Sequence, residues 1–471
     1  MAFYDALLVF GLLLFLGVGF VYLRHPAASF WHPLTIYLAL HGIVFAFRPI
    51  LARIFDYQLL YTSTRFQPSL GDKITVLLAA DLALIVFVAV SLRVASRPVD
   101  LEIGGTWQWR REKLWVPFLA VSAIIAPIAV YAAADEWLAT ASNASTMVID
   151  TATGVNFNTT GNGWFSTSQL ALVPIVTVFA WLTRFRWYSL IPFGLFFLLR
   201  AGTGGRGPII IAAVAIVILF LLERGRKWPE WRASVLILAM ALAFNAIVTD
   251  RGKAVREAFI ADEAYVSSGT QEAKPFEHMD FANLEYFEFA VYAIPQRSGT
   301  YDYFLHNLQI FTEPIPRIWW KDKPLGPPIA MYQLPDYGRP YGFTYSVPGV
   351  GWMSWGWPGV VIQSALFALL FGALHRRMAA GPQTPVYVLV FALMIASTVV
   401  SYRDGTFLTV VRVLPFYIGP IAAMWLLSIP LTRQFGRRSS FPAERREARA
   451  GFSSLPAQRR KALAGLVDAS N

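Results

Sequence analysis

The chain has 471 residues, of which 56% are hydrophobic and 15% charged, against roughly 25% charged residues in an ordinary soluble domain. With a mean hydropathy of +0.49, this excludes a soluble multidomain enzyme and, outside the C-terminal tail, a disordered chain. There are 36 Phe, 19 Tyr and 16 Trp but no Cys, which removes disulfides, thiolate catalysis, Cys-ligated zinc and iron–sulfur clusters; the net charge of +11 becomes a question of which side of a bilayer carries it.

Apolar runs long enough to cross about 30 Å of hydrocarbon define eleven expected spans, near 3–23, 30–51, 74–95, 113–133, 167–183, 187–200, 208–223, 232–249, 355–374, 384–402 and 408–430. The expected fold class is therefore all-α: a polytopic helical membrane domain over residues 1–431, followed by a basic tail over 432–471. The fifth and sixth spans are short for a full crossing and read as a tilted hairpin or a re-entrant element. Residues 1–20 lack the basic segment and small-residue cleavage site of a signal peptide, so the first helix reads as retained. Basic residues collect in alternate connections: Arg93, Arg97, Arg110, Arg111 and Lys113, then Arg184 and Arg186, then Arg224, Arg226, Lys227 and Arg232, then Arg376 and Arg377. The rule that cytoplasmic loops hold Lys and Arg puts these and the tail in the cytoplasm and the N-terminus outside.

This topology leaves two long connections, both extracytoplasmic, at about 134–166 and 250–354. The second carries twenty aromatic residues together with Glu285, Glu288, Asp302, His306, Arg297, Arg317 and Arg339, a mixture suited to stacking on sugar rings and bonding their hydroxyls, or to the loop's own core. Within it, residues 280–294 show helical spacing, and a second short helix is expected over 301–311 before Pro314 and Pro316. At the outer end of two spans lies RAGTGGRGP, from Arg200 to Pro208. Gly204 and Gly205 permit backbone amides to converge on an anion, Pro208 suits a first helical turn, and Arg206 adds a bidentate partner for phosphate; the alternative is a helical hairpin turn with its arginine among headgroups. YRDGTFLTVVR, from Tyr402 to Arg412, sets Arg403 and Asp404 at the outer boundary and Arg412 inside an apolar helix, where an arginine needs a polar cavity or a partner. Arg48 and Asp81, similarly placed in the second and third spans, read as a structural ion pair. Together Arg200, Arg206, Arg317, Arg403 and Arg412 form a candidate external basic cluster. No DxD, HExxH or GxSxG pattern is present, and no metal site or cofactor is expected.

Three motifs, TGGRGP (203–208), PRIWWKDKP (316–324) and RDGTF (403–407), together with the hydropathy pattern over about 3–431, resemble the Wzy-type oligosaccharide repeat-unit polymerases, also called O-antigen polymerases. The resemblance implies a metal-independent glycosyltransferase at the outer face of the bacterial inner membrane. It would move a growing glycan from undecaprenyl pyrophosphate to the next lipid-linked repeat unit. Arg206, Arg317 and Arg403 are then the pyrophosphate-binding candidates, with Arg200, Gly204, Gly205, Arg412, Glu285 and Glu288 as further substrate contacts. His306, Asp404, Glu285 and Glu288 are candidates for the general base. Implied partners are undecaprenyl-pyrophosphate-linked oligosaccharides, membrane lipids, a flippase and a chain-length regulator, and no nucleic acid. The rival readings are a glycan ligase, a glycosyltransferase using a polyprenyl-phosphate sugar, and a transporter of lipid-linked oligosaccharide.

Overall fold

A computed structural model of the protein describes residues 2–58, 61, 66–101, 103–141, 147–149, 156–158, 163–201, 207–231, 277, 282–312, 315, 319–320 and 344–438. Apart from a ribbon in which β1 (Met147–Ile149) pairs antiparallel with β2 (Asn156–Asn158), its regular elements are helices. In chain order these are α1 (Ala2–Leu23), α2 (Pro33–His41), a π-helical turn (Gly42–Phe47), α3 (Arg48–Phe55), α4 (Leu70–Val94), α5 (Gly105–Glu112) and α6 (Trp115–Ala141). After the ribbon come α7 (Gly163–Thr167), α8 (Leu172–Leu182), α9 (Leu190–Ala201), α10 (Gly207–Glu223), α11 (Asn283–Ala293), α12 (Leu305–Leu308), α13 (Ser346–Ala380), α14 (Pro385–Asp404) and α15 (Phe407–Arg438).

Eight helical stretches among the described residues are long and apolar enough to cross a membrane, and two more, Trp187–Arg200 and Gly207–Glu223, are apolar but shorter. These ten coincide with ten of the eleven expected spans, and the other, 232–249, lies outside the described residues. The fifth expected span is not one of the short ones: α7 and a 3-10 turn lengthen it to 19 residues, Trp164–Leu182. The last helix runs on to Arg438, past the expected start of the tail at 432.

Local chemistry accounts for several helix ends. Ser69 and Asp72 close a reciprocal capping box at the start of α4, satisfying two amides that the first turn leaves without partners. His32 accepts the Leu34 amide ahead of Pro33, and Thr384 accepts the Tyr387 amide ahead of Pro385; in both the proline sits where a missing N–H costs nothing. α1 is apolar on all sides and leaves Phe3, Phe10, Leu13 and Phe20 exposed, as a helix facing lipid does. Elsewhere packing relies on small residues, because lipid offers no hydrophobic drive for helices to associate: Ala79, Ala80 and Ala83 of α4 are fully buried and let α13 and α11 lie close against it.

Contacts between connections sort the loops onto two faces. On one, Lys227 Nζ donates to the Pro26 carbonyl, Trp107 Nε1 to the Gln383 carbonyl, and Arg111 pairs with Glu223 at 2.6 Å; these are the loops rich in Lys and Arg. On the other, Arg53 at the end of α3 pairs with Asp5 at 3.1 Å, and Arg48 pairs with Glu285 of α11 at 2.6 Å.

The largest departure from expectation is at α13. Residues 346–354, expected as the end of the long loop, form a buried helical segment, and Trp355 and Gly356 break the helix before it resumes. Gly356 takes φ +57° and ψ −135°, a region that only glycine occupies without strain. The break frees carbonyls at Met353 and Ser354, and the amides of Asp302 and Tyr303 bond them at 2.9 Å each. Non-helical backbone at this depth is thus paired within the protein, as a low-dielectric setting requires.

Candidate functional site

The RDGTF turn, where α14 ends and α15 begins, is held by three side-chain amides. Asn283, the first residue of α11, donates to the Arg403 carbonyl at 3.0 Å and to the Thr344 carbonyl at 2.7 Å. Gln363 of α13 donates to the Gly405 carbonyl at 2.7 Å, while Asn307 donates to Gln363 at 2.8 Å and accepts from the Phe407 amide at 3.2 Å. Thr409 Oγ1 donates to Asp404 at 3.0 Å. Gly405 is required: its φ is +74°, and a Cβ there would collide with the Ser346 carbonyl. The turn is therefore seated directly on the N-terminal end of the half-helix 346–354.

With its backbone fixed in this way, Arg403 lines a small cleft with Tyr402, Asn283, Ser346, Val347 and Pro348 on one side and Tyr37, Leu40, His41, Val44 and Phe45 on the other. Its free volume of about 20 Å³ admits one or two groups the size of a water molecule or a hydroxyl. Four polar atoms on this lining have no hydrogen-bond partner among the described residues: Arg403 Nε, Tyr402 Oη, Tyr37 Oη and His41 Nδ1. Tyr37, His41 and Tyr402 are at most 4% exposed, so each orphaned group costs about 1–3 kcal/mol of desolvation that no bond returns. Arg403 also makes no ion pair among the described residues.

The other carboxylates and arginines of the region are committed elsewhere. Glu285 accepts from both Nε and Nη2 of Arg48, so the expected pairing of Arg48 with Asp81 is corrected: Arg48 lies at the α11 end of the bundle, whereas Asp81 stands beside Gly11 of α1 with Oδ2 unpartnered among the described residues. Glu288 accepts from Tyr61 Oη at 2.5 Å, and burial pushes its carboxyl up to about 7, against the weaker opposing pull of Lys73. Arg200 is buried and bonds Gln169, with Glu136 at 3.3 Å. Asp302 accepts the His306 amide at 2.8 Å at the far end of the half-helix; burial lowers His306 to about 4 and raises Asp302.

Of the residues singled out in the sequence, the structure gathers Arg403 and Asp404 with the half-helix, and it reaches His306 through its neighbour Asn307. Glu285 and Glu288 lie on the same helix as Asn283. Gly204, Gly205, Arg206 and Arg317 fall outside the described residues, as do 250–276 and 321–343 of the long loop. Arg412 lies within α15. Sequence reasoning missed Asn283, Asn307 and Gln363, although a lone glutamine inside an apolar span is a signal for a buried amide that needs partners. It also missed Tyr37 and His41, which look like ordinary members of an apolar run.

No protein-family model, curated protein or solved structure matches this chain. The described structure defines a helical membrane protein with several apolar spans, and function is argued from the site.

Proposed function

We propose that the protein is a metal-independent membrane glycosyltransferase that polymerises undecaprenyl-pyrophosphate-linked oligosaccharide repeat units at the outer face of the bacterial inner membrane. The observation that carries this reading is Arg403: a guanidinium without an ionic partner among the described residues, on a rigid turn, beside the N-terminus of a half-helix. Both features favour an anion, and a preorganised cation facing a departing pyrophosphate supplies stabilisation where charge develops. The motif resemblance supports the same chemistry and adds Arg206 and Arg317 to the anion site. Both substrates remain membrane-anchored, so the enzyme needs positioning and charge stabilisation rather than a nucleotide site.

The test is mass spectrometry of lipid-linked oligosaccharides in the source cell after deletion of the gene, with complementation by wild type or Arg206→Ala. Single repeat units accumulating on the outer leaflet, and cleared only by wild type, are the expected result. The interrupted helix α13 also fits a transporter, whose sites often use broken helices; repeat units trapped on the inner leaflet would favour that reading. An unchanged lipid pool would overturn both.

A further inference from the structure

A second cleft lies at the face rich in Lys and Arg, where α8 ends and the chain turns into α9. Its free volume of about 390 Å³ falls in the range of small-molecule sites, roughly 300–1,000 Å³. It is lined by Trp115 at the start of α6, by Phe179 and Leu182 at the end of α8, and by Arg184, Arg186 and Tyr188 of the turn. Trp115 meets Phe179 edge-on at 6.2 Å, so the lining combines packed aromatic rings with two guanidinium groups. The turn that carries the arginines is fixed through its backbone. Arg184 and Phe185 both take positive φ, 58° and 53°, a conformation that residues other than glycine adopt at a cost. Their amides bond the Trp181 and Ala180 carbonyls at 3.1 and 2.9 Å, the Phe185 ring packs edge-on against Phe220 at 5.4 Å, and the Arg186 carbonyl accepts the Ser189 amide at 2.8 Å.

On this fixed backbone the two arginine side chains stay exposed. Arg184 meets Glu112 at 3.2 Å with both side chains more than half exposed, and a pair of that kind contributes little. Arg186 reaches the Tyr188 hydroxyl at 3.4 Å and makes no ion pair among the described residues. Among the described residues no carboxylate lines the cleft, so Glu112 at its edge offsets one of the two positive charges and leaves one. The helices that begin at the cleft present apolar side chains outward: Val116 and Leu119 of α6 and Leu190 and Ile191 of α9 are exposed, as spans are against lipid. Trp187, next to Arg186, is also exposed, the placement of an aromatic ring at headgroup level.

We propose that this cleft binds an anionic phospholipid of the adjacent leaflet, with its phosphodiester against Arg184 and Arg186 and its acyl chains along α6 and α9. A monoanionic headgroup matches the one positive charge left over, and basic pockets between spans hold such headgroups by charge-assisted hydrogen bonds. A zwitterionic lipid brings its own cation beside the arginines and gains less. A soluble phosphate matches the charge but leaves the apolar flanks uncovered. The site is separate from the Arg403 cleft and does not depend on the glycosyl-transfer reading.

The experiment titrates the full chain in mild detergent with phosphatidylglycerol, phosphatidylcholine or inorganic phosphate, and native mass spectrometry counts the bound molecules. Wild type is expected to retain phosphatidylglycerol in preference to phosphatidylcholine. The double variant Arg184→Gln, Arg186→Gln is expected to bind phosphatidylglycerol about 30-fold more weakly, a factor of about five for each arginine near an anionic surface, with phosphatidylcholine unaffected. Arg186→Gln alone breaks no ion pair among the described residues and should lose about fivefold, which keeps the test readable if the double variant does not fold. The control Arg376→Gln, Arg377→Gln removes two exposed charges outside the cleft and should bind as wild type does. Equal affinity of wild type for the two lipids, or an equal loss in the control, would overturn the proposal. So would inorganic phosphate bound as tightly as phosphatidylglycerol, which would make the site one for a soluble anion.

Discussion

Two sets of arginines in this molecule have opposite surroundings. Arg48 and Arg111 are each buried against a carboxylate, at 2.6 Å from Glu285 and from Glu223, and Arg200 is clasped by Gln169 and Glu136. Arg403 sits in a cleft where, among the described residues, its Nε is unbonded and no carboxylate joins the lining. Burying a charge is tolerable when a partner is built in, so the first set holds helices together. Arg403 lacks such a partner among the described residues, which is why we propose it for an anionic ligand. Around Arg403 the side-chain amides of Asn283, Gln363 and Asn307 bond the backbone of the turn, and none of them bonds the guanidinium.

The largest effect is expected at the structural pair. Removing one partner of Arg48–Glu285, as in Arg48→Ala, leaves a buried carboxylate uncompensated and should cost about 3–5 kcal/mol, measured as loss of folded protein in a detergent melt. The double change Arg48→Met, Glu285→Leu should recover most of that loss, since it removes both charges. If the double variant were no more stable than the single one, the pair would not be what ties α3 to α11.

A smaller effect is expected from Glu288. Its carboxyl ordinarily titrates near 4.5 and is raised to about 7 by burial, so the folded state keeps a proton that the unfolded chain releases. The contribution of Glu288 to stability should therefore be full at pH 4.5 and below, decline as pH rises towards 7, and level off above it. The total is on the order of 3 kcal/mol, from about 1.4 kcal/mol for each tenfold difference in proton affinity between the folded and unfolded chain. The difference in stability between wild type and Glu288→Gln across pH 4–8 should show this slope, because the opposite contribution of His306, lowered to about 4 by burial, is common to both proteins.

At the turn, Gly405→Ala distinguishes a structural role from a chemical one. An alanine at positive φ with its Cβ driven into the Ser346 carbonyl should cost about 1–3 kcal/mol in backbone strain. It should also displace Arg403, so activity should fall further than stability does; equal losses would mean that the turn has only a structural role.

Much of the architecture was legible in the sequence. Apolar length located the long helices, and helical spacing over 280–294 anticipated α11 at Asn283–Ala293. The half-helix 346–354 was not legible, because SVPGVGWMS carries the glycines and proline of a loop, and only its burial against α4 and α11 makes it helical. Charge type found Arg403 and Arg48, but not which carboxylate each would meet: Glu285 is 237 residues from Arg48 in sequence, and no local pattern encodes that pairing. The amides that brace the turn act through backbone carbonyls, which leave no trace in side-chain motifs, and Tyr37 and His41 become conspicuous only once their polar atoms are seen to lack partners.

The most direct test of the central claim is the rate of repeat-unit polymerisation by Arg403→Gln relative to wild type, measured beside its melting temperature. A guanidinium that serves only the reaction predicts a rate about 1,000-fold lower, of the size seen when a preorganised charge-stabilising donor is lost, with an unchanged melting temperature. A wild-type rate, or a lowered rate accompanied by an equivalent loss of stability, would contradict it.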